Sequence, residues 1–122
     1  MFEFKGIDHV QLAGPAGCEE EARAFFSGIL GLEEIVKPAS LNQNGCWFRC
    51  GNQEIHIGIQ IDFSPSKKAH PGLQVTGLKE LARALAENGV EVREDKPIAG
   101  RNRVFVDDPF GNRIEFLEFI RE

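Results

Sequence analysis

One order of elements, written twice in 122 residues, constrains this chain more than any single motif does. Residues 6–13 alternate apolar and polar side chains as a half-buried strand does. Residues 18–30 then carry Ala22, Phe25, Phe26, Ile29 and Leu30 at the spacing of an amphipathic helix, which Gly31 stops. Strand-like runs follow near 32–36, 45–50 and 53–61, separated by the turn dipeptides Asn44-Gly45 and Gly51-Asn52. The second half repeats this order. A strand runs from His70 to Val75 and a helix over 78–87, with Leu78, Leu81, Ala82 and Leu85 inward. Asn88-Gly89 closes that helix, and strands follow near 90–94, 102–106 and 112–119. Gly31-Leu32 and Gly89-Val90 stand 58 residues apart, and Gly51-Asn52 and Gly111-Asn112 stand 60 apart. Each half therefore reads βαβββ. The expected organisation is one α+β domain of two modules, residues 4–62 and 70–120, joined by a polar connector over 62–69.

Composition narrows the function classes. The formal net charge of −5 argues against general nucleic-acid affinity, which needs a surplus of Lys and Arg over phosphate. No apolar run is long enough to span a bilayer. The opening Met1-Phe2-Glu3-Phe4-Lys5 lacks a basic segment followed by an apolar one, so no signal peptide is expected. Three cysteines without zinc-type spacing fit a reducing, cytoplasmic setting. No phosphate-binding glycine loop or nucleophile elbow is present.

Strand parity sorts the polar residues. If the aliphatic residues of each strand cover the helices, the alternate residues line the opposite face. Val10 and Leu12 then leave His9 and Gln11; Ile55, Ile57, Ile59 and Ile61 leave Glu54 and His56. Leu73 and Val75 leave His70 and Gln74, and Ile114 and Phe116 leave Glu115 and Leu117. Cys46, Phe48 and Cys50 leave Trp47 and Arg49, while Val104 and Val106 leave Arg103 and Phe105. All three histidines and Glu115 thus share the face away from the helices. His9 and His70 are 61 apart and His56 and Glu115 are 59 apart, close to the repeat offsets. A pseudo-twofold would map each pair onto itself and bring four donors to one centre. Three imidazoles and a carboxylate suit a divalent transition metal, Zn, Ni, Co or Fe(II), with Mn a further option.

Simpler readings exist for each residue. A single strand histidine is more often a hydrogen-bonded structural group than a ligand, His70 could be a loop residue beside Lys67-Lys68, and Glu115 a surface carboxylate. The symmetric set carries the metal reading, and no member does so alone. Cys46 and Cys50 read as core thiols, and Glu19-Glu20-Glu21 as a solvated first turn favoured by the helix dipole. Trp47 and Phe105 would form an apolar wall. Arg49 and Arg103 would either hold an anionic group of a ligand or lie solvated at the rim, paired with Glu54.

The chain resembles the vicinal oxygen chelate superfamily of glyoxalases, bleomycin-resistance proteins and extradiol dioxygenases. The resemblance runs from Ile7 to Glu118. Its carriers are Ile7-Asp8-His9-Val10, Gly28-Ile29-Leu30-Gly31-Leu32, Glu54-Ile55-His56-Ile57, Ala69-His70-Pro71-Gly72-Leu73 and, most specific, Asp107-Asp108-Pro109-Phe110-Gly111-Asn112-Arg113-Ile114-Glu115-Phe116. The resemblance implies paired βαβββ modules curling into a mainly antiparallel sheet cup around a metal. Its four ligand slots match His9, His56, His70 and Glu115. It also implies a homodimer whose composite sites draw on both subunits, acting on a small-molecule substrate. Departures restrict the activity. The second slot, Glu in glyoxalases, is His56 here. There is no Tyr for dioxygenase or fosfomycin-type chemistry, and Gln11 stands two beyond His9. Bleomycin-binding members lack the metal, yet Trp47 would suit their apolar groove.

The expected activity is Lewis-acid lyase or isomerase chemistry on a small oxygen-chelating substrate, an anionic one among the options. Glu115 or Glu54 would serve as base, and Gln11, Trp47, Arg49, Gln74, Arg103 and Phe105 would contact substrate. The alternative is a binding protein that sequesters a small molecule without a catalytic metal.

Overall fold

The computed structural model describes residues 1–121. The chain divides into two compact units, Met1–Phe63 and Ser64–Glu122.

Unit one contains β1 (His9–Gly14), α1 (Glu19–Arg23), β2 (Glu34–Ile35), β3 (Cys46–Cys50) and β4 (Gln53–Ile59). Its sheet has the order β1-β4-β3-β2, with β1 parallel to β4 and the other neighbours antiparallel. The helix expected over 18–30 forms, but its second half, Ala24–Ile29, widens into a π-helical turn. That turn ends where the Leu32 amide donates to the Phe26 carbonyl and Gly31 takes a φ of +74°. The widening keeps Phe25 and Phe26 both inward. Phe26 stacks on Phe48 at 5.3 Å, and these rings with Ala22, Cys46, Ile55 and Ile57 form the core of the unit. Gly45, at φ +81°, leaves no room for a side chain, since a Cβ there would lie 2.2 Å from the Ile57 carbonyl oxygen.

Unit two contains β5 (Gly72–Gln74), α2 (Leu78–Glu87), β6 (Arg101–Asp107) and β7 (Arg113–Phe119). Its sheet has the order β5-β7-β6, again with the first strand parallel and the next antiparallel. The core holds Leu78, Leu85, Val106, Ile114 and Phe116. The Glu118 carboxylate caps α2 by accepting from the Gly77 and Leu78 amides at 2.9 and 3.1 Å.

The two sheets share one register. Gln11 stands opposite His56 as Gly72 stands opposite Glu115, and each follows its histidine by two positions. Trp47 faces His56 as Phe105 faces Glu115. The internal repeat is thus preserved in the hydrogen-bond ladders.

Two expectations need correction. The strand near 90–94 shrinks to a single bridge, in which Arg93 and Phe105 exchange two 2.8 Å hydrogen bonds. Glu91, Arg93 and Glu94 are charged, and Arg93 turns to Asp107 at 2.9 Å, so little apolar burial holds the segment to the sheet. Ile61, expected against the helix, lies two residues past the end of β4 and is exposed.

Candidate functional site

The candidate residues gather as two clusters, one in each unit. In unit one, Trp47, His56 and His9 form a continuous ring stack. Trp47 lies parallel to His56 with centroids 3.9 Å apart, and His56 lies 4.2 Å from His9. Adjacent strands bring these side chains together because Trp47 and His56 are opposite partners and His9 sits diagonally across β1. Both imidazoles are oriented by carboxylates. His56 Nε2 donates to Glu54 at 2.9 Å, and His9 Nδ1 donates to Asp8 at 2.9 Å. A neutral imidazole that donates from one nitrogen carries its lone pair on the other, so His9 presents Nε2 and His56 presents Nδ1 as donors to a cation.

In unit two, His70 meets Glu115. His70 Nδ1 donates to the Lys68 carbonyl at 2.9 Å, and Nε2 is the other ring nitrogen. That nitrogen faces a Glu115 oxygen at 3.0 Å. A proton on Nε2 or a metal cation holds such a contact together. Donors about 2.1 Å from one ion and about a right angle apart lie about 3.0 Å from each other, so this pair fits a shared ion. Among the described residues, no three His, Cys, Asp or Glu side chains gather as one metal-holding group. The donors come as two pairs, one per unit, and all four have a chemistry that fits a borderline divalent metal.

Phe105, expected in an apolar wall, is 2% exposed. Its ring receives the edge of His70 at 5.2 Å and the guanidinium groups of Arg113 and Arg103 at 4.3 and 5.2 Å. Arg103 donates to the Lys96 carbonyl at 2.7 Å and reaches Glu115 at 3.7 Å. The Nε atoms of Arg101, Arg103 and Arg113 are buried without hydrogen-bond partners, and all three guanidiniums lie over phenyl rings, Arg101 over Phe119.

The remaining candidates lie further out. Arg49 stands opposite Glu54 in the ladder but pairs with Glu33 at 3.3 Å and is largely exposed, which puts it at the rim. Gln11 and Gln74 are exposed, and the Gln11 amide rests over Gly58, where an added Cβ would meet it at 2.6 Å. Burial pushes the Cys46 thiol up to about 11, in keeping with a core thiol, whereas Cys50, also raised by burial, is only half-buried at the end of β3. The sequence reading missed Asp8 and Arg113. Arg113 was legible, because it lies two positions before Glu115 and therefore on the same face.

A crystal structure of a glyoxalase family protein from Bacillus anthracis is 51% identical, with 98% of this chain and 99% of that chain covered and a TM-score of 0.94. The fosfomycin resistance protein FosX from Listeria monocytogenes shares the fold at 18% identity and a TM-score of 0.74, over 98% of this chain and 95% of that one. Lactoylglutathione lyase from Agrobacterium tumefaciens shares it at 19% identity and a TM-score of 0.73, over 93% of each chain. No curated protein gives a match. With its sequence matching over residues 6–116 and each unit repeating the same strand register, the chain belongs to the Glyoxalase/Bleomycin resistance protein/Dioxygenase superfamily, the vicinal oxygen chelate proteins.

Proposed function

We propose that this protein is a divalent-metal enzyme of the lyase or isomerase type, with His9, His56, His70 and Glu115 as ligands. The observation that supports it most is the 3.0 Å contact between His70 Nε2 and Glu115, made while the other ring nitrogen is committed to a carbonyl. When bound, a Zn, Ni, Co, Fe(II) or Mn ion supplies Lewis acidity toward adjacent substrate oxygens, worth several kcal/mol where negative charge develops. Four protein donors leave one or two coordination positions for such a substrate. The sites are composite and the protein a homodimer in this reading, as family members often are.

Glu54 is the group placed to move a proton. It is not needed among the four ligands, is partly buried, and has one oxygen held by the His56 N–H. That hydrogen bond fixes the carboxylate, so its free oxygen can accept a proton from a bound substrate. Glu115, engaged by both His70 and Arg103, stays in its ligand role. A second reading draws on the Trp47–His56–His9 stack, a flat aromatic platform suited to sequestering an aromatic compound.

Cobalt(II)-loaded protein distinguishes the two. Hydroxy-carbonyl, thiohemiacetal or catechol compounds should shift its visible absorption, and Glu54→Gln should keep the metal and the shift. A protein that takes up no metal, yet quenches Trp47 fluorescence with aromatic compounds, would instead be a sequestering protein.

A further inference from the structure

The two guanidiniums over Phe105 stand farther from their carboxylates than the best-paired arginines of the chain do. Arg23 meets both oxygens of Glu34 at 3.0 Å, and Arg93 meets Asp107 at 2.9 Å. Arg103 and Arg113 are more buried than either, with side chains 16% and 26% exposed. Their nearest carboxylates among the described residues are Glu115 at 3.7 Å and Asp95 at 3.6 Å. Each also donates to a backbone carbonyl, Arg103 to Lys96 at 2.7 Å and Arg113 to Lys67 at 3.5 Å, so two half-buried cations share loose carboxylate contacts on one side of the sheet. Both rest on one ring, on the strand face that also carries Glu115. The equivalent positions of the first repeat are Gly45 and Glu54, which carry no cation, so the feature is not a requirement of the fold.

We propose that Arg103 and Arg113, held over Phe105, form a carboxylate-binding wall beside Glu115, and that the substrate bears a carboxylate next to its chelating oxygen. The inference rests on the metal-site reading above for its chelating oxygen, and on the guanidinium pair for its charge. Adjacency follows from distance: Arg103 Nη1 lies 3.7 Å from Glu115, so an anion it receives sits within a bond or two of any atom Glu115 helps to hold. A carboxylate follows from shape. Planar guanidiniums present forked donors that match two coplanar oxygens, and both forks here are immobilised against a ring. Arg113 is thereby assigned as a specificity-determining residue.

Calorimetric titration tests this with three probes, glycolate, ethylene glycol and inorganic phosphate, on metal-free and metal-loaded protein. Glycolate should bind the metal-free protein, and ethylene glycol, which lacks the charge, should not. Arg113→Met and Arg103→Met should each weaken glycolate at least tenfold, with metal affinity unchanged within about twofold in the Arg113 variant. Arg113→Lys, which keeps the charge and loses the fork, should fall between and guards against a folding defect in the methionine variant. Glycolate affinity unchanged in the methionine variants would overturn the proposal, and phosphate binding as tightly as glycolate would overturn the carboxylate assignment. Because the metal-free titration needs no ion, a failure of the metal-site reading would appear separately, as absent metal uptake.

Discussion

Replacing Asp108 with alanine tests how the last turn of unit two sets the position of β7 and hence of Glu115. Asp108 is buried, and its carboxylate accepts three hydrogen bonds. The donors are the amides of Phe110 and Asn112 at 2.9 and 2.8 Å and the Asn112 side chain at 2.8 Å. Each donor left without an acceptor costs about 1–3 kcal/mol. Removing a buried carboxylate also relieves its desolvation, which offsets about 1–2 kcal/mol. The net loss for Asp108→Ala is therefore about 3 kcal/mol, or about 10 °C in melting temperature for a chain of this size. Asp108→Asn keeps one oxygen for the two backbone amides and loses only the side-chain contact, so about 1 kcal/mol is expected. The pH dependence has a definite sign. Burial raises the Asp108 carboxyl above its ordinary value, against hydrogen bonds from Asn112 and Phe110 that lower it. The native state thus holds this proton more tightly than the unfolded one. Its contribution is full below the ordinary carboxylate range and is lost as pH rises through the raised native value. Urea titrations between pH 4 and 7 should show wild type losing stability with rising pH relative to Asp108→Asn. Equal stability of the alanine and asparagine variants would refute the reasoning, as would an Asp108→Ala loss below about 0.5 kcal/mol.

Two other perturbations report on single groups. Glu118 is lowered by the Gly77 and Leu78 amides, so its stabilising effect is present above the ordinary carboxylate value and disappears as pH falls through the depressed one. Glu118→Gln should lower the urea midpoint at pH 7 and flatten its decline toward pH 3, with α2 helicity by circular dichroism as the check. Cys46, 1% exposed and pushed up to about 11, should resist alkylation at pH 8 until urea unfolds the chain, and mass spectrometry of the modified peptide would show it.

Much of this architecture could be read from residue alternation, because a buried sheet face leaves little freedom in register. Parity placed His56 and Trp47 on one face, and the ladder makes them opposite partners. It also placed Glu115 with Phe105, which face each other across β7 and β6. Pairwise chemistry was less legible. Nothing in a one-dimensional pattern shows that Arg49 turns to Glu33 instead of Glu54, since both carboxylates lie within a long side chain's reach. The segment 90–94 carries the alternation of a strand, but its charged residues gain too little from burial to extend beyond one bridge. Arg113 was hidden by its place in a turn motif, although its parity matched Glu115.

The central claim is that three imidazoles and one carboxylate hold a single divalent ion. Elemental analysis of untagged protein, alongside alanine variants at His9, His56, His70 and Glu115, tests it most directly. The account predicts about one ion per chain in the wild type, with most of it lost in each of the four variants. A wild type without bound metal would contradict it, and so would full occupancy in both His70→Ala and Glu115→Ala.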